Sequence, residues 1–162
     1  MGGRRLLHVA FSDDWEACGR FGDYDVATRR TLFDDAGHIH ATTAGGLPAV
    51  LRDVYGDATE ALVLAVIDED ALADQGIPVR WEPAAGGPAP RIGAVLPMDR
   101  ATVVAVLEVG RGPDGWAAPD LSGLDVRETA PEAALEAALE AALEATLEAA
   151  REAGPGVSPA GS

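Results

Sequence analysis

The sequence predicts an α+β domain with a mixed or antiparallel sheet, followed by a long C-terminal helix. Three observations predict it. A short apolar run near the N-terminus is followed by two helical patterns and then by several extended segments, without the regular strand–helix alternation of a doubly wound fold. Two strongly apolar runs, Ala61 to Ile67 and Ala101 to Val109, are short and rich in branched side chains, which marks buried strands. After Gly110 the composition changes to Gly- and Pro-punctuated sequence and then to a four-residue alanine, leucine and glutamate repeat.

Taken in order, Leu6 to Ala10 (LLHVA) reads as the first strand. Ser12 is placed to cap a helix beginning near Asp13, with acidic residues in the first turn where the helix dipole favours them. Trp15 and Cys18, three apart, turn to the core. A polar, irregular stretch leads to GHIHATT, Gly37 to Thr43. Leu47, Val50, Leu51 and Val54 have the i, i+3, i+4, i+7 spacing of a helix face, and Gly56 follows as a stop. Pro78 to Glu82 reads as a strand, Pro83 to Pro90 as a mobile loop, and Pro97 with Asp99 as the turn into the last strand. Residues 111–130 read as a linker, 131–153 as an alanine-rich helix opened by Pro131 and closed by Gly154, and 154–162 as a disordered tail.

Composition narrows the partners. The 162 residues carry a formal net charge of −15, and all 12 basic residues are arginine. Such a surface repels nucleic acid and anionic membranes, yet leaves room for a local arginine site for an anionic small molecule. Cys18 is the single cysteine, so no intrachain disulfide and no cysteine-based zinc site is expected, which fits a reducing cytoplasm. The N-terminus lacks the apolar run of a signal peptide, and no segment approaches the ~20 apolar residues of a membrane helix.

The candidate site residues are polar groups in or beside strands. His8 interrupts an apolar strand and needs a partner if buried. His38 and His40 share a strand face, a spacing that metal sites use, but neither H-E-x-x-H nor cysteine spacing accompanies it and no metal is expected. Arg80 and Glu82 share the opposite face from Trp81, with Arg91 just beyond the loop; they are either a surface ion pair or a guanidinium and carboxylate facing a ligand. No nucleotide-loop glycine motif and no G-x-S-x-G occurs. In the C-terminal repeat, leucines at 135, 139, 143 and 147 form a stripe that is either a solvated low-complexity face or a packing surface for a homodimer.

The ordered segments LLHVA, LFDDAGHIHATT, PVRWE and PRIGAVLPMDRATVVAVLEV resemble the bacterial domain of unknown function 952 family over residues 4–110. The family resembles the ADP-ribosyltransferase superfamily in turn. The resemblance implies a split, mostly antiparallel sheet with flanking helices around a cleft for NAD. It implies His8, His40 and Glu82 as catalytic residues, with Thr42, Thr43 and Arg80 as cofactor-binding residues; His38 and Arg91 are expected to join the cofactor-binding set on their own chemistry and place in the sequence. His38, Arg91 and Gly93 depart from the family pattern, standing where an aromatic or aliphatic residue, a histidine and a tyrosine are usual. Two functions are therefore expected: an NAD-using transferase or glycohydrolase, or a repurposed cleft. The latter is either a cyclase, isomerase or lyase of specialised metabolism or a non-catalytic small-molecule module.

Overall fold

A computed structural model describes residues 4–84 and 87–153. The elements run β1 (Arg5–Phe11), α1 (Ser12–Gly19), β2 (Asp23–Tyr24), β3 (Val26–Thr28), β4 (Thr31–Leu32), α2 (Phe33–Ala36), β5 (Ile39–His40) and α3 (Leu47–Asp53). They continue with β6 (Leu62–Asp68), α4 (Glu69–Asp74), β7 (Val79–Glu82), β8 (Ala89–Ile92), β9 (Leu96–Pro97) and β10 (Val103–Glu108). The hairpin β11 (Gly110–Gly112) and β12 (Gly115–Ala117) and the helix α5 (Glu132–Glu152) complete the chain. This is a mixed α and β architecture of several small antiparallel sheets with a C-terminal helix.

The larger sheets are β1-β6-β10 and β5-β8-β7, each wholly antiparallel. β6 is the central strand of the first, and Leu62 through Ile67 are all buried, which explains why its sequence shows no alternation. The apolar residues divide between its two faces. Leu6, Ala10, Tyr24, Ile39, Ala65, Ile67 and Leu96 pack on one side; Leu7, Val9, Leu47, Leu51, Tyr55, Leu64 and Val66 pack on the other. The two sheets meet at one isolated bridge, where Leu7 and Thr42 exchange backbone hydrogen bonds of 2.9 and 2.8 Å. No helix among the described residues is long and apolar enough to cross a membrane.

Local chemistry sets the element ends. Helix α1 begins at Ser12 itself, with Phe11 in the cap position and no side-chain cap, because the Ser12 N–H is spent on the Ala61 carbonyl at 2.9 Å. The expected serine cap is thus corrected. Helix α4, which periodicity did not announce, starts where the Asp68 carboxylate accepts from the Ala71 N–H at 3.0 Å. The expected loop after Glu82 ends at Ala89, where β8 begins; residues 85–86 within it lie outside the described residues. Asp99 makes the foreseen turn, accepting from the Thr102 N–H and hydroxyl at 2.8 and 3.0 Å.

The linker expected over 111–130 is corrected outright, because that segment packs as part of a compact unit that runs through to Ala130. Trp116 donates its indole N–H to the Tyr55 carbonyl at 2.8 Å, and Arg111 lies over the Trp116 ring and bonds the Ala58 carbonyl. Leu121, Leu124 and Val126 pack against the second apolar cluster. Beyond them the chain forms a strap. Arg127 bonds the Arg5 carbonyl at 2.9 Å and pairs with Glu69 at 2.5 Å, while Ala44 and Gly45 donate to the Arg127 and Glu128 carbonyls at 2.7 and 2.9 Å. A Cβ on Gly45 would fall 2.5 Å from the Glu128 oxygen, so glycine is required for this approach. The second unit starts at Pro131 and carries α5. Its expected closing Gly154 and the disordered tail fall outside the described residues.

A chain ending at Gly110 is therefore predicted to be less stable than one ending at Ala130. Losing the Trp116, Leu121, Leu124 and Val126 contacts removes at least about 3 kcal/mol, or roughly 10 °C in Tm, measured by thermal unfolding monitored with circular dichroism.

Candidate functional site

Strand β1 lies at the edge of its sheet. Its even-numbered residues bond β6, so the backbone groups of Arg5, Leu7 and Val9 point outward. Leu7 spends its pair on Thr42, and the Val9 carbonyl accepts from the Tyr55 hydroxyl at 3.2 Å. Past the bridge, β1 and β5 part, and a cleft of about 240 Å³ opens between them. Leu7, His8 and Val9 form its floor; His40, Thr42 and Thr43 form one side, continued by Ala89 and Arg91. Gly46, Val50, Asp53, Val54 and Tyr55, with Thr28 of β3, form the other side.

His8 is buried, with 2% of its surface exposed. Its Nδ1 lies 2.5 Å from the His40 carbonyl oxygen, so that nitrogen donates. Nε2 is then the acceptor of the neutral ring, and the Tyr24 hydroxyl donates to it at 3.1 Å. Tyr24 also meets His8 edge to face, at a centroid distance of 5.0 Å. Burial lowers the His8 pKa to about 4, partly offset by the bond to His40, so the ring is neutral at pH 7. Both nitrogens are occupied. His8 is placed to hold the β5 backbone against β1.

His40 projects into the cleft and stacks on His38, with ring centroids 4.8 Å apart and planes 30° from parallel. The shared face expected from the spacing is present, but the rings lie face to face rather than converging their nitrogens on one point. Burial, then Arg91, His38 and His8, lower the His40 pKa to about 4, with Glu82 opposing. His40 is thus a neutral hydrogen-bonding group at pH 7.

Cross-strand register builds the rest. His40 stands opposite Arg91, and Arg91 opposite Arg80, so the three occupy one row across β5, β8 and β7. The Arg91 side chain is 14% exposed, and its nearest carboxylate, Glu82, is 3.9 Å away. Desolvation pulls the Arg91 guanidinium below its ordinary value, with Glu82 opposing, though an arginine stays charged. Arg80 is exposed. Neither Arg80, Glu82 nor His38 lines the cleft. Glu82 therefore flanks Arg91 instead of facing the cleft.

The two threonines are buried and have separate tasks. Thr42 supplies the bridge, and its hydroxyl occupies the space a Cβ on Gly46 would need, 2.4 Å away. Thr43 opens α3: its hydroxyl accepts from the Gly46 N–H at 3.2 Å and its carbonyl from the Leu47 N–H at 3.0 Å. Gly93 has a physical reason too, since a Cβ there would meet the Pro78 Cγ at 2.8 Å. The site residues not anticipated are Tyr24, Tyr55, Thr28 and Asp53. Tyr24 sits in a two-residue strand within the irregular stretch, and no local pattern points from it to His8. Burial pushes the Tyr55 phenol up to about 12, so it remains a donor.

A mostly apolar cleft edged by polar side chains, at the join of two antiparallel sheets and beside a buried histidine, marks the candidate site of this mixed α and β domain. The chain belongs to the DUF952 family, described as a protein of unknown function, whose model matches residues 9–106. The fold is similar to that of protein CC0527 from Caulobacter crescentus, with 18% sequence identity, a TM-score of 0.57, and coverage of 72% of this chain and 94% of that one. A double mutant of the same protein matches to the same extent. Comparison with curated proteins finds no match.

The histidine geometry fixes a pH dependence. A ring that is neutral in the folded state at pH values where the unfolded chain is protonated favours unfolding by acid. Stability contributed by His8 and His40 is present above about pH 6.5 and is lost as pH falls toward about 4. For buried His8 the loss is on the order of 3 kcal/mol. His8→Asn, which keeps a donor for the His40 carbonyl, is predicted to flatten the profile of Tm against pH in this window. A profile as steep as the parent's would contradict the assignment.

Proposed function

We propose that this chain is a small-molecule enzyme whose cleft takes an anionic ligand, with NAD as the first candidate and an ADP-ribosyltransferase-like relationship behind it. The observation that carries the reading is Arg91. In a chain of net charge −15, a mostly buried guanidinium stands in the cleft wall with a 3.9 Å carboxylate contact and one long bond, 3.4 Å, to the Pro90 carbonyl. A charge so placed is paid for by a ligand: a phosphate or carboxylate makes two short, parallel hydrogen bonds to a guanidinium, which a carboxylate at 3.9 Å does not.

The other cleft groups suit a sugar or amide beside that anion. His40 is neutral and offers one donor and one acceptor, and the Thr42 and Thr43 hydroxyls lie close by. Val50, Val54 and Ala89 give the apolar surface for a flat ring. The volume of about 240 Å³ is small against the ~300–1,000 Å³ of typical ligand pockets. It fits one end of a dinucleotide, with the remainder over the open rim. Breaking a nicotinamide–ribose bond builds positive charge on the ribose, and a carboxylate near that carbon stabilises it. Asp53 is the carboxylate lining the cleft, on the α3 side.

A second reading, a binding module or a cyclase, isomerase or lyase with other chemistry, is favoured by two observations. His8 has no free nitrogen, and Glu82 does not line the cleft. Calorimetry with NAD and ADP-ribose, beside an etheno-NAD turnover assay, separates the readings. Arg91→Gln is expected to weaken binding about 10- to 100-fold, the loss of a charge-assisted pair, and His40→Ala to lower turnover more than binding. NAD binding without turnover supports the second reading. No binding at millimolar NAD or ADP-ribose removes the NAD assignment.

A further inference from the structure

Helix α5 lies outside the part of the chain that the family model matches, and its leucines differ in exposure from those of α3 and α4. The buried helix leucines, Leu47, Leu51 and Leu72, belong to α3 and α4. On α5, Leu135, Leu139, Leu143 and Leu147 are exposed by 43, 72, 59 and 49%. Each has a glutamate three residues before it, at 132, 136, 140 and 144, which is its neighbour on the helix surface. The other flank is Ala138, Ala142, Thr146 and Ala150. The leucines therefore form a ridge with an acidic border on one side and a low shelf on the other.

Two features select the occupant. Six glutamates against the single Arg151 give the helix a net charge of −5, by 1 − 6. A second copy would set like charges side by side. The leucine period is also wrong for a paired seam. A four-residue step advances ~40° around a 3.6-residue helix, so the ridge turns by ~120° over the ~18 Å from Leu135 to Leu147. A left-handed coiled coil needs a 3.5-residue period, and even a right-handed one needs about 3.67. Any helical partner therefore meets the ridge at an oblique crossing rather than along a seam, and the charge of α5 favours a basic one. We propose that α5 is a docking helix for a basic amphipathic segment of another protein. The segment crosses the ridge obliquely, seats its apolar side chains on the alanine shelf and sets its cations against the glutamate border.

The test uses the full chain and two synthetic peptides of the length of α5. One repeats Lys-Ala-Ala-Leu; the other replaces its leucines with alanine and keeps the charge. Titration by calorimetry is run with the parent chain and with a Leu139→Ala, Leu143→Ala double variant, whose helicity is checked by circular dichroism because alanine preserves it. The expected result is binding of the leucine peptide to the parent, weakened about tenfold or more by the double variant and by the alanine peptide, and weakened by added salt. Three outcomes overturn the proposal. They are no binding at millimolar peptide, equal binding by the double variant or the alanine peptide, and self-association of the chain in sedimentation velocity that the double variant abolishes. The last assigns the ridge to a second copy.

Discussion

The structure depends on how the outer edge of β1 is shared. An edge strand carries unpaired backbone groups, and a protein must cover them or leave them to another chain. Here each outward residue meets a different part of the molecule: Arg5 the strap at Asp125 and Arg127, Leu7 the bridge to Thr42, Val9 the Tyr55 hydroxyl. Because these partners come from three directions, they cannot continue one ladder. The sheet splits at Leu7, and the cleft is the space the split leaves. His8 tightens the join from the other face of β1, tying its neighbour strand through the His40 carbonyl while Tyr24 satisfies its second nitrogen. A charged imidazole there would be costly to bury, which is why the lowered pKa and the burial belong to one arrangement.

Charge follows the same division. The chain is strongly acidic, and two of its partly buried acids are matched to arginines at joins. Asp68 holds Arg5 at 3.1 Å and Glu69 holds Arg127, all four side chains being largely buried. Breaking one partner of such a pair leaves the other uncompensated, which is more damaging than the pair's net worth suggests. Arg91 is the exception. It is as buried as those arginines, but its carboxylate is 3.9 Å away, against 3.1 Å for Arg5 and 2.5 Å for Arg127. Arg5 and Arg127 are fixed by close carboxylates, whereas Arg91 in the cleft lining has only long contacts, to Glu82 and to the Pro90 carbonyl at 3.4 Å.

Strong local patterns made much of this legible in the sequence. β1, β6 and β10 are apolar runs, α3 has four apolar residues at helical spacing, and α5 declares itself by repeat. His40, Thr42, Thr43 and Arg91 line the cleft, all four already singled out from the sequence. Two kinds of feature were hidden. The first is the role of a side chain whose partner is distant in sequence: that His8 would exhaust its nitrogens on Tyr24 and His40 depends on a two-residue strand with no periodicity. The second is direction in short strands. Glu82 and Arg91 do share a face, as alternation requires, but alternation cannot say which residues of that face reach the cleft. Arg80 and Glu82 sit on β7, one strand farther from the split than Arg91, and distance across the sheet removes them from the lining.

The segment after Gly110 shows why composition misleads at a domain boundary. Glycine and proline mark turns, and turns are as frequent in a strap laid over a core as in a free linker. What distinguishes the two is the apolar residue between the turns. Trp116, Leu121, Leu124 and Val126 are spaced too irregularly to read as an element, yet each reaches the apolar cluster beneath α3 and β6. The family model ends at residue 106, before any of them. In this chain the Thr42–Gly46 turn, with Thr42, Thr43 and Gly46 in the cleft lining, is held from behind by Arg127 and Glu128. The boundary that packing defines falls at Ala130, so the strap belongs to the same compact unit as the cleft, although composition does not assign it there.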